Sequence, residues 1–293
     1  MVQKNTLPEC VNSQENNKEK HKMKVLYFDL EHGSQTLGSE KHIQEMFGYS
    51  LLRPGSWDSF QHVIGQLYTK KNTVVEKKVG SLDIKEEQES VILRDKAPTV
   101  DALIVDTFSE LSKKYMRSLI KKETGKMLLQ DWGKLRYKLD NCLEFVTRIP
   151  GVVICNVHAK LQTMDDGQNK IIPYIDGSTK EDIAKWFDFV FYTKTITNLT
   201  GLPEYVWITG RTEKYDHAKD RTGVLEQQIP QDFNIVMDAA KECGFDGCKI
   251  LVIGSPGSGK TYALRTLVGP AVTVDIGDPV KTVETKTTNG VNV

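Results

Sequence analysis

Lys249-Ile-Leu-Val-Ile-Gly254-Ser-Pro-Gly-Ser-Gly259-Lys260-Thr261 decides the reading of this chain. Four apolar residues, Ile250 to Ile253, predict a buried strand. The spacing of Gly254, four residues, then Gly259-Lys260-Thr261 is that of a phosphate-binding loop, and Tyr262 to Val268 predicts the helix that should follow it. Glycine at 254, 257 and 259 lets backbone N–H groups turn inward around an anion with no Cβ in the way. The helix start then presents its partial positive charge to the same anion. The stretch from Gly254 through Ser255, Pro256, Gly257, Ser258, Gly259, Lys260 and Thr261 to Tyr262 is therefore the candidate nucleotide cradle. Lys260 is placed to reach the β- and γ-phosphates of ATP, and the Thr261 hydroxyl to ligate Mg²⁺.

Such a loop normally opens its domain, yet here residues 1–248 precede it and only residues 262–293 follow it. Those last 32 residues are too few for a nucleotide-binding domain, since domains run from about 50 residues upward. The remaining site residues must lie upstream. The 293 residues allow one large domain or two small ones. Lysine plus arginine and aspartate plus glutamate number 39 each, which excludes a uniformly basic coat but not a local basic patch. No apolar run reaches the ~18 residues of a membrane span. Met1 to Lys22 lacks the apolar core of a signal peptide and has the polar composition of a disordered tail. Cysteines 10, 142, 155, 243 and 248 show no metal-ligand spacing; together these features predict a reducing, cytoplasmic setting.

Two upstream runs end in acids. Lys24-Val-Leu-Tyr-Phe-Asp29-Leu-Glu31-His-Gly33 reads as a strand whose carboxyl end carries Asp29 and Glu31, either facing a ligand or facing solvent. Ala102-Leu-Ile-Val-Asp106 reads as a buried parallel strand; Asp106 either holds Mg²⁺ through water or caps the following helix. Gly151 to His158 is another buried strand, with His158 either a γ-phosphate sensor or a core histidine. Asp188 to Thr193 and Glu204 to Thr209 complete the strand set. A helix is expected from Trp57 to Lys70. Residues 71–97 read as a charged surface insertion with β-prone pieces at Thr73–Val75 and Val91–Leu93, and 159–175 as a polar loop with Asp165-Asp166-Gly167 at its tip. From Lys113 to Lys138 nine lysines and arginines face two acids, a local +7, with Tyr115, Trp132 and Tyr137 interleaved. That pattern suits single-stranded nucleic acid. It equally describes a solvated helix face, because Leu135, Leu139 and Leu143 form an apolar stripe. Lys219 and Arg221 sit on a turn, placed to meet a phosphate or simply exposed.

Taken together, Phe28-Asp29-Leu30-Glu31-His32-Gly33, Asp106 with Thr107 and Ser109, Asp131-Trp132-Gly133, His158-Ala-Lys160, Pro173-Tyr-Ile-Asp-Gly177, Phe187-Asp188 and Ala218-Lys-Asp-Arg-Thr-Gly223 resemble the RecA-like ATPase core. The fit is closest to phage Sak-type ATPases of single-strand annealing and recombination, and spans residues 24–240. The resemblance implies that Glu31 polarises the attacking water, that Asp106 stands on the Mg²⁺ side, and that His158 is a polar sensor. It implies that Lys219 and Arg221 reach the ATP of a neighbouring subunit in a homo-oligomeric ring or filament. It also implies that 113–138 and 159–175 face single-stranded DNA, in the cytoplasm of a phage-infected host.

The family places its phosphate loop before the Glu motif, whereas here the loop comes last, so the chain resembles a circular permutant. The alternative is that Ala271 to Asp275 takes the place of strand 24–29, making the loop part of a truncated second copy or of a neighbour's site. The expected architecture is an α/β domain, 23–277, with a mostly parallel sheet, helices on both faces, and Lys249–Ile253 beside Ala102–Asp106. Loose segments are expected at 1–22 and 278–293. The expected activity is a DNA-stimulated ATPase; the alternative is a nucleotide-gated scaffold with little turnover.

Overall fold

Each apolar run that ends in a polar residue becomes a strand of one sheet. The computed structural model describes residues 23–121, 124–164, 167–198, 200–267, 272–275 and 284–287. Strand β1 (Val25–Asp29) is followed by a 3₁₀ turn at Gly33–Leu37, helix α1 (Glu40–Phe47), capped by the Ser39 side chain, and β2 (Tyr49–Leu52). Helix α2 (Trp57–Leu67) leads into a long antiparallel ribbon, β3 (Tyr68–Val79) and β4 (Leu82–Leu93). Next come β5 (Ala102–Asp106), α3 (Phe108–Leu119) with Thr107 as its cap, and α4 (Leu129–Thr147). Then follow β6 (Val152–Thr163), β7 (Asn169–Pro173), the short α5 (Thr179–Asp182), β8 (Phe189–Thr197), β9 (Pro203–Ile208), β10 (Lys219–Asp220) and β11 (Gln228–Pro230). The chain ends with α6 (Phe233–Glu242), β12 (Lys249–Gly254), α7 (Lys260–Ala263), β13 (Val272–Asp275) and β14 (Glu284–Thr287).

The main sheet runs β11-β9-β8-β12-β6-β5-β1-β2. The five central contacts, from β8 to β2, are parallel, and the β9 and β11 margin is antiparallel. Its central strands are buried on both faces, as a parallel sheet between two helix layers requires. Alternate residues feed two cores. Phe28, Val105, Cys155 and Leu251 pack with α2, α3 and α4 on one side. Tyr27, Ile104, Ile154 and Val252 pack with α1, α6 and α7 on the other. The leucine stripe of α4 enters the first core, Leu135, Leu139 and Leu143 all being 0% exposed.

Several expectations need correcting. Strand β12 does not lie beside β5: it pairs with β6 and β8, and β6 separates it from β5. A buried run cannot name its own neighbours, and the loop after β12 is long enough to carry Thr261 across the intervening strand. The helix expected over 262–268 is one turn, Lys260–Ala263, tightening into 3₁₀ geometry at Leu264–Thr266. The Thr266 hydroxyl there donates to the Ala263 carbonyl and accepts from the Phe233 N–H, tying that end to α6. Helix α2 stops at Leu67, and β3 and β4 run twelve residues each rather than forming two short pieces. The polar loop 159–175 is largely a hairpin, with β6 extending to Thr163 and pairing with β7; Asp165 and Asp166 lie outside the described residues. Among the described residues Val272–Asp275 pairs with Glu284–Thr287 and not with the main sheet, so it does not displace β1, and β14 falls within the tail expected to be loose. The tail 1–22 lies outside the described residues. No helix among the described residues is long and apolar enough to cross a membrane.

Candidate functional site

The parallel strands bring their carboxyl ends to one edge, and the phosphate loop leaves β12 there. Gly254 sits against Thr193 and Ser258: a Cβ at 254 would fall 1.7 Å from Thr193 Oγ1. Those two hydroxyls are hydrogen-bonded at 2.5 Å, and Ser258 Oγ donates onward to the Ser255 carbonyl. Gly257 and Gly259 have φ of 75° and 88°, the left-handed region that favours glycine. Lys260 is 6% exposed and donates to the carbonyls of Gly254 (2.8 Å) and Ser255 (3.0 Å). Burial pulls its pKa down, while Asp106 and Glu31 act in the opposite direction. A buried ammonium held by carbonyls alone fits an incoming phosphate as its missing countercharge. Tyr262 leaves the loop with the Arg265 guanidinium over its ring.

Thr261 and Asp106 meet directly: Thr261 Oγ1 donates to Asp106 Oδ2 at 2.7 Å. Asp106 also accepts from Tyr27 Oη (2.9 Å) and Asn156 Nδ2 (3.0 Å), and is 3% exposed. Burial raises its pKa above the ordinary value, and these three donors only partly offset that. A hydroxyl beside a buried carboxylate fits Mg²⁺, which retains several waters and draws other ligands from phosphate oxygens. Among the described residues no cluster of three or more His, Cys, Asp or Glu offers a fuller protein cage. The backbone of Gly33 faces the same point; a Cβ there would come within 3.3 Å of Thr261 Oγ1.

Glu31 stands two residues beyond β1. Its Oε1 meets His158 Nε2 at 2.6 Å and accepts from the Thr107 hydroxyl. Burial pushes its carboxyl up, but the bonds from His158 and Thr107 outweigh this and leave it below its ordinary value. His158 is aligned with Gly254 in the β6–β12 register, its N–H donating to Ser109 Oγ and its buried Nδ1 without a partner. Asp29 points inward instead. It accepts from Gly33 N–H, Ser34 Oγ and Arg53 Nε, organising the turn after β1.

Lys219 and Arg221 are not in this cluster. Strand β10 pairs with the start of β8, so both lie toward the opposite edge of the sheet, by strand rise about 10 Å from the level of Gly254 for Lys219 and about 16 Å for Arg221. Lys219 Nζ donates to the Phe187 carbonyl at 2.7 Å, and Arg221 Nη1 to Asp188 Oδ1 at 2.6 Å. On the site's own edge, Tyr174 donates its N–H to the His158 carbonyl, and its ring lies under Lys113 (5.0 Å) and Lys160 (5.6 Å). Trp132 and Tyr137 are exposed, whereas Tyr115 packs on Trp57. Lys113, Arg117, Lys134 and Arg136 pair with acids, which dilutes the local positive charge.

Sequence reading missed Tyr27 and Asn156 as partners of Asp106. Asn156 carried a usable signal, a lone amide inside the apolar run 152–157; Tyr27 looked like any core aromatic.

The profile of the AAA-domain family matches residues 18–222, more than half of the chain. The match ends before β12 and the phosphate loop. Comparison with curated proteins and with solved structures gives no significant match.

Proposed function

The chain belongs to the AAA-domain family, and from that premise we propose that it is a RecA-like ATPase that binds and hydrolyses ATP while handling single-stranded DNA, in phage-type recombination, annealing or replication. The observation that carries the reading is the contact between Thr261, at one end of the chain, and Asp106, far upstream. It joins a phosphate loop to an acid in one polypeptide and supports a circular permutation of the ATPase core.

Lys260 and the loop N–H groups hold the phosphates, and Thr261 and Asp106 hold Mg²⁺. The metal supplies charge neutralisation on the transferring phosphate. Glu31 orients and deprotonates the attacking water, and His158 reports the state of the γ-phosphate through its bond to Glu31. Lys219 and Arg221 act on a neighbouring subunit's ATP, being too far from their own. The Arg221 side chain is half exposed, and its buried partner Asp188 also accepts from the Lys249 N–H, so Asp188 keeps a donor when Arg221 turns toward a neighbour. Tyr174 between Lys113 and Lys160 offers DNA a base-stacking ring flanked by phosphate-binding cations, beside 113–138 and the hairpin 159–175.

The test is phosphate release by the full chain with and without single-stranded DNA, beside Lys260→Ala. Turnover that depends on Lys260 and rises with DNA supports the proposal; turnover indifferent to Lys260 removes it. One observation favours a second reading, a nucleotide-gated scaffold with little turnover: Glu31 is already engaged by His158 and Thr107. Tight ATP binding with negligible phosphate release would select that reading.

A further inference from the structure

The β3–β4 ribbon forms its own two-stranded sheet, apart from the main one. Its root is anchored: Tyr68 and Val91 are 3% and 2% exposed and belong to the core beneath α2. Beyond the root each twelve-residue strand projects, spanning about 40 Å in all. A lone two-stranded ribbon is marginal in water, and both its edges offer unpaired backbone groups. Register places Val75, Val79, Ile84 and Leu82 on one face near the tip, with Val79 58% and Leu82 67% exposed.

Its charges are sorted by strand. Strand β3 carries four lysines (70, 71, 77, 78) against Glu76, a net +3; β4 carries four acids (83, 86, 87, 89) against Lys85, a net −3. Three ion pairs inside the ribbon use Lys70–Glu89, Lys77–Glu86 and Lys85–Glu76. Among the described residues, Lys71 and Lys78 on β3, and Asp83 and Glu87 on β4, carry no ion pair. Pairing β3 with a second β3, or β4 with a second β4, would oppose like charges. Pairing β3 with another copy's β4 matches them, and two ribbons pointing the same way are then antiparallel at the join.

We propose that the ribbon is an assembly surface on which β3 of one copy of this chain pairs edge to edge with β4 of the next. The contact is heterologous, so it propagates until it closes as a ring or extends as a filament. Neighbouring ribbons continue the apolar stripe of Val75, Val79, Leu82 and Ile84 from copy to copy. The proposal is independent of the ATPase reading, because the ribbon is a separate sheet and supplies none of the residues assigned to the nucleotide site.

The test uses the full chain in sedimentation velocity, with subunit exchange followed by energy transfer between labelled copies. Wild type is expected to assemble. Lys71→Glu with Lys78→Glu reverses one edge and should raise the apparent dissociation constant by about tenfold or more. The fourfold exchange, adding Asp83→Lys and Glu87→Lys, keeps the ribbon internally complementary; it should assemble with itself yet refuse to exchange with wild type. Wild type that stays monomeric at every concentration, or fourfold-exchanged subunits that enter wild-type assemblies freely, overturns the proposal.

Discussion

At the scale of single residues, the site turns on two charges, the buried Lys260 and the more exposed Glu31. Lys260 donates only to carbonyl oxygens, so its removal deletes a cation held within the loop. Lys260→Ala is expected to reduce ATP hydrolysis to background, measured as released phosphate. Glu31 differs, because its hydrogen bonds go to His158 and Thr107 rather than to the loop. Glu31→Gln should leave nucleotide affinity within about twofold of wild type while lowering kcat by about 10²–10⁴, the usual weight of a positioned base. Equilibrium binding of a fluorescent nucleotide beside single-turnover hydrolysis checks both halves. The same carboxylate carries a pH signature. Its folded-state pKa is lowered, first against the opposing effect of burial and then by His158 and Thr107. The stability it contributes is therefore fully present above its ordinary value of 4.5 and is lost as pH falls through the lower folded value. Urea unfolding of wild type and Glu31→Gln should differ by a constant amount at neutral pH, and the difference should shrink below 4.5.

At the scale of elements, the β12 strand and its loop show how local geometry and packing combine. The left-handed glycines could be anticipated from the motif, but the crowding at Gly254 could not. It arises because β8 brings Thr193 alongside, and residue 193 is remote in sequence. Gly254→Ala should destabilise the chain by several kcal/mol or prevent folding, read from the denaturation midpoint, since Thr193 and Ser258 would both have to move. The hairpin after His158 places Tyr174 on the site's edge. If that ring stacks a base, Tyr174→Ala should weaken single-stranded DNA binding by about 1–3 kcal/mol and leave nucleotide binding unchanged. An equal loss in both would mean that the hairpin supports the fold rather than the DNA. Element boundaries were less legible than element positions. Strands β3, β4 and β6 outran their apolar runs because pairing with a partner strand, not hydropathy alone, keeps polar residues extended.

At the scale of the whole molecule, β12 is an interior strand contributed by the far end of the chain. Truncation before Lys249 would split the sheet between β6 and β8, leaving an unpaired backbone edge on each. Such a chain should fail to unfold cooperatively in calorimetry. By contrast, opening the turn at Gly244–Gly247 and joining residue 293 to residue 1 with a flexible linker should preserve nucleotide binding, because no interior pairing is cut. Loss of binding in that re-cut chain, with its circular dichroism intact, would show that continuity through the turn matters more than the sheet arrangement.

The residues themselves determined the α/β class, the strands that carry Asp106, His158 and Gly254, and the chemistry of the phosphate loop. These follow from short-range rules: apolar runs extend, glycines permit inward-turned N–H groups, and Lys-Thr at the helix start suits a phosphate and a metal. Only the tertiary structure decided which strands are neighbours, that β6 lies between β12 and β5, that Tyr27 and Asn156 serve Asp106, and that Lys219 and Arg221 lie at the far edge. Those outcomes depend on pairing between segments as far apart as Val153 and Lys249, and the hydropathy of a strand is the same whichever strand lies beside it.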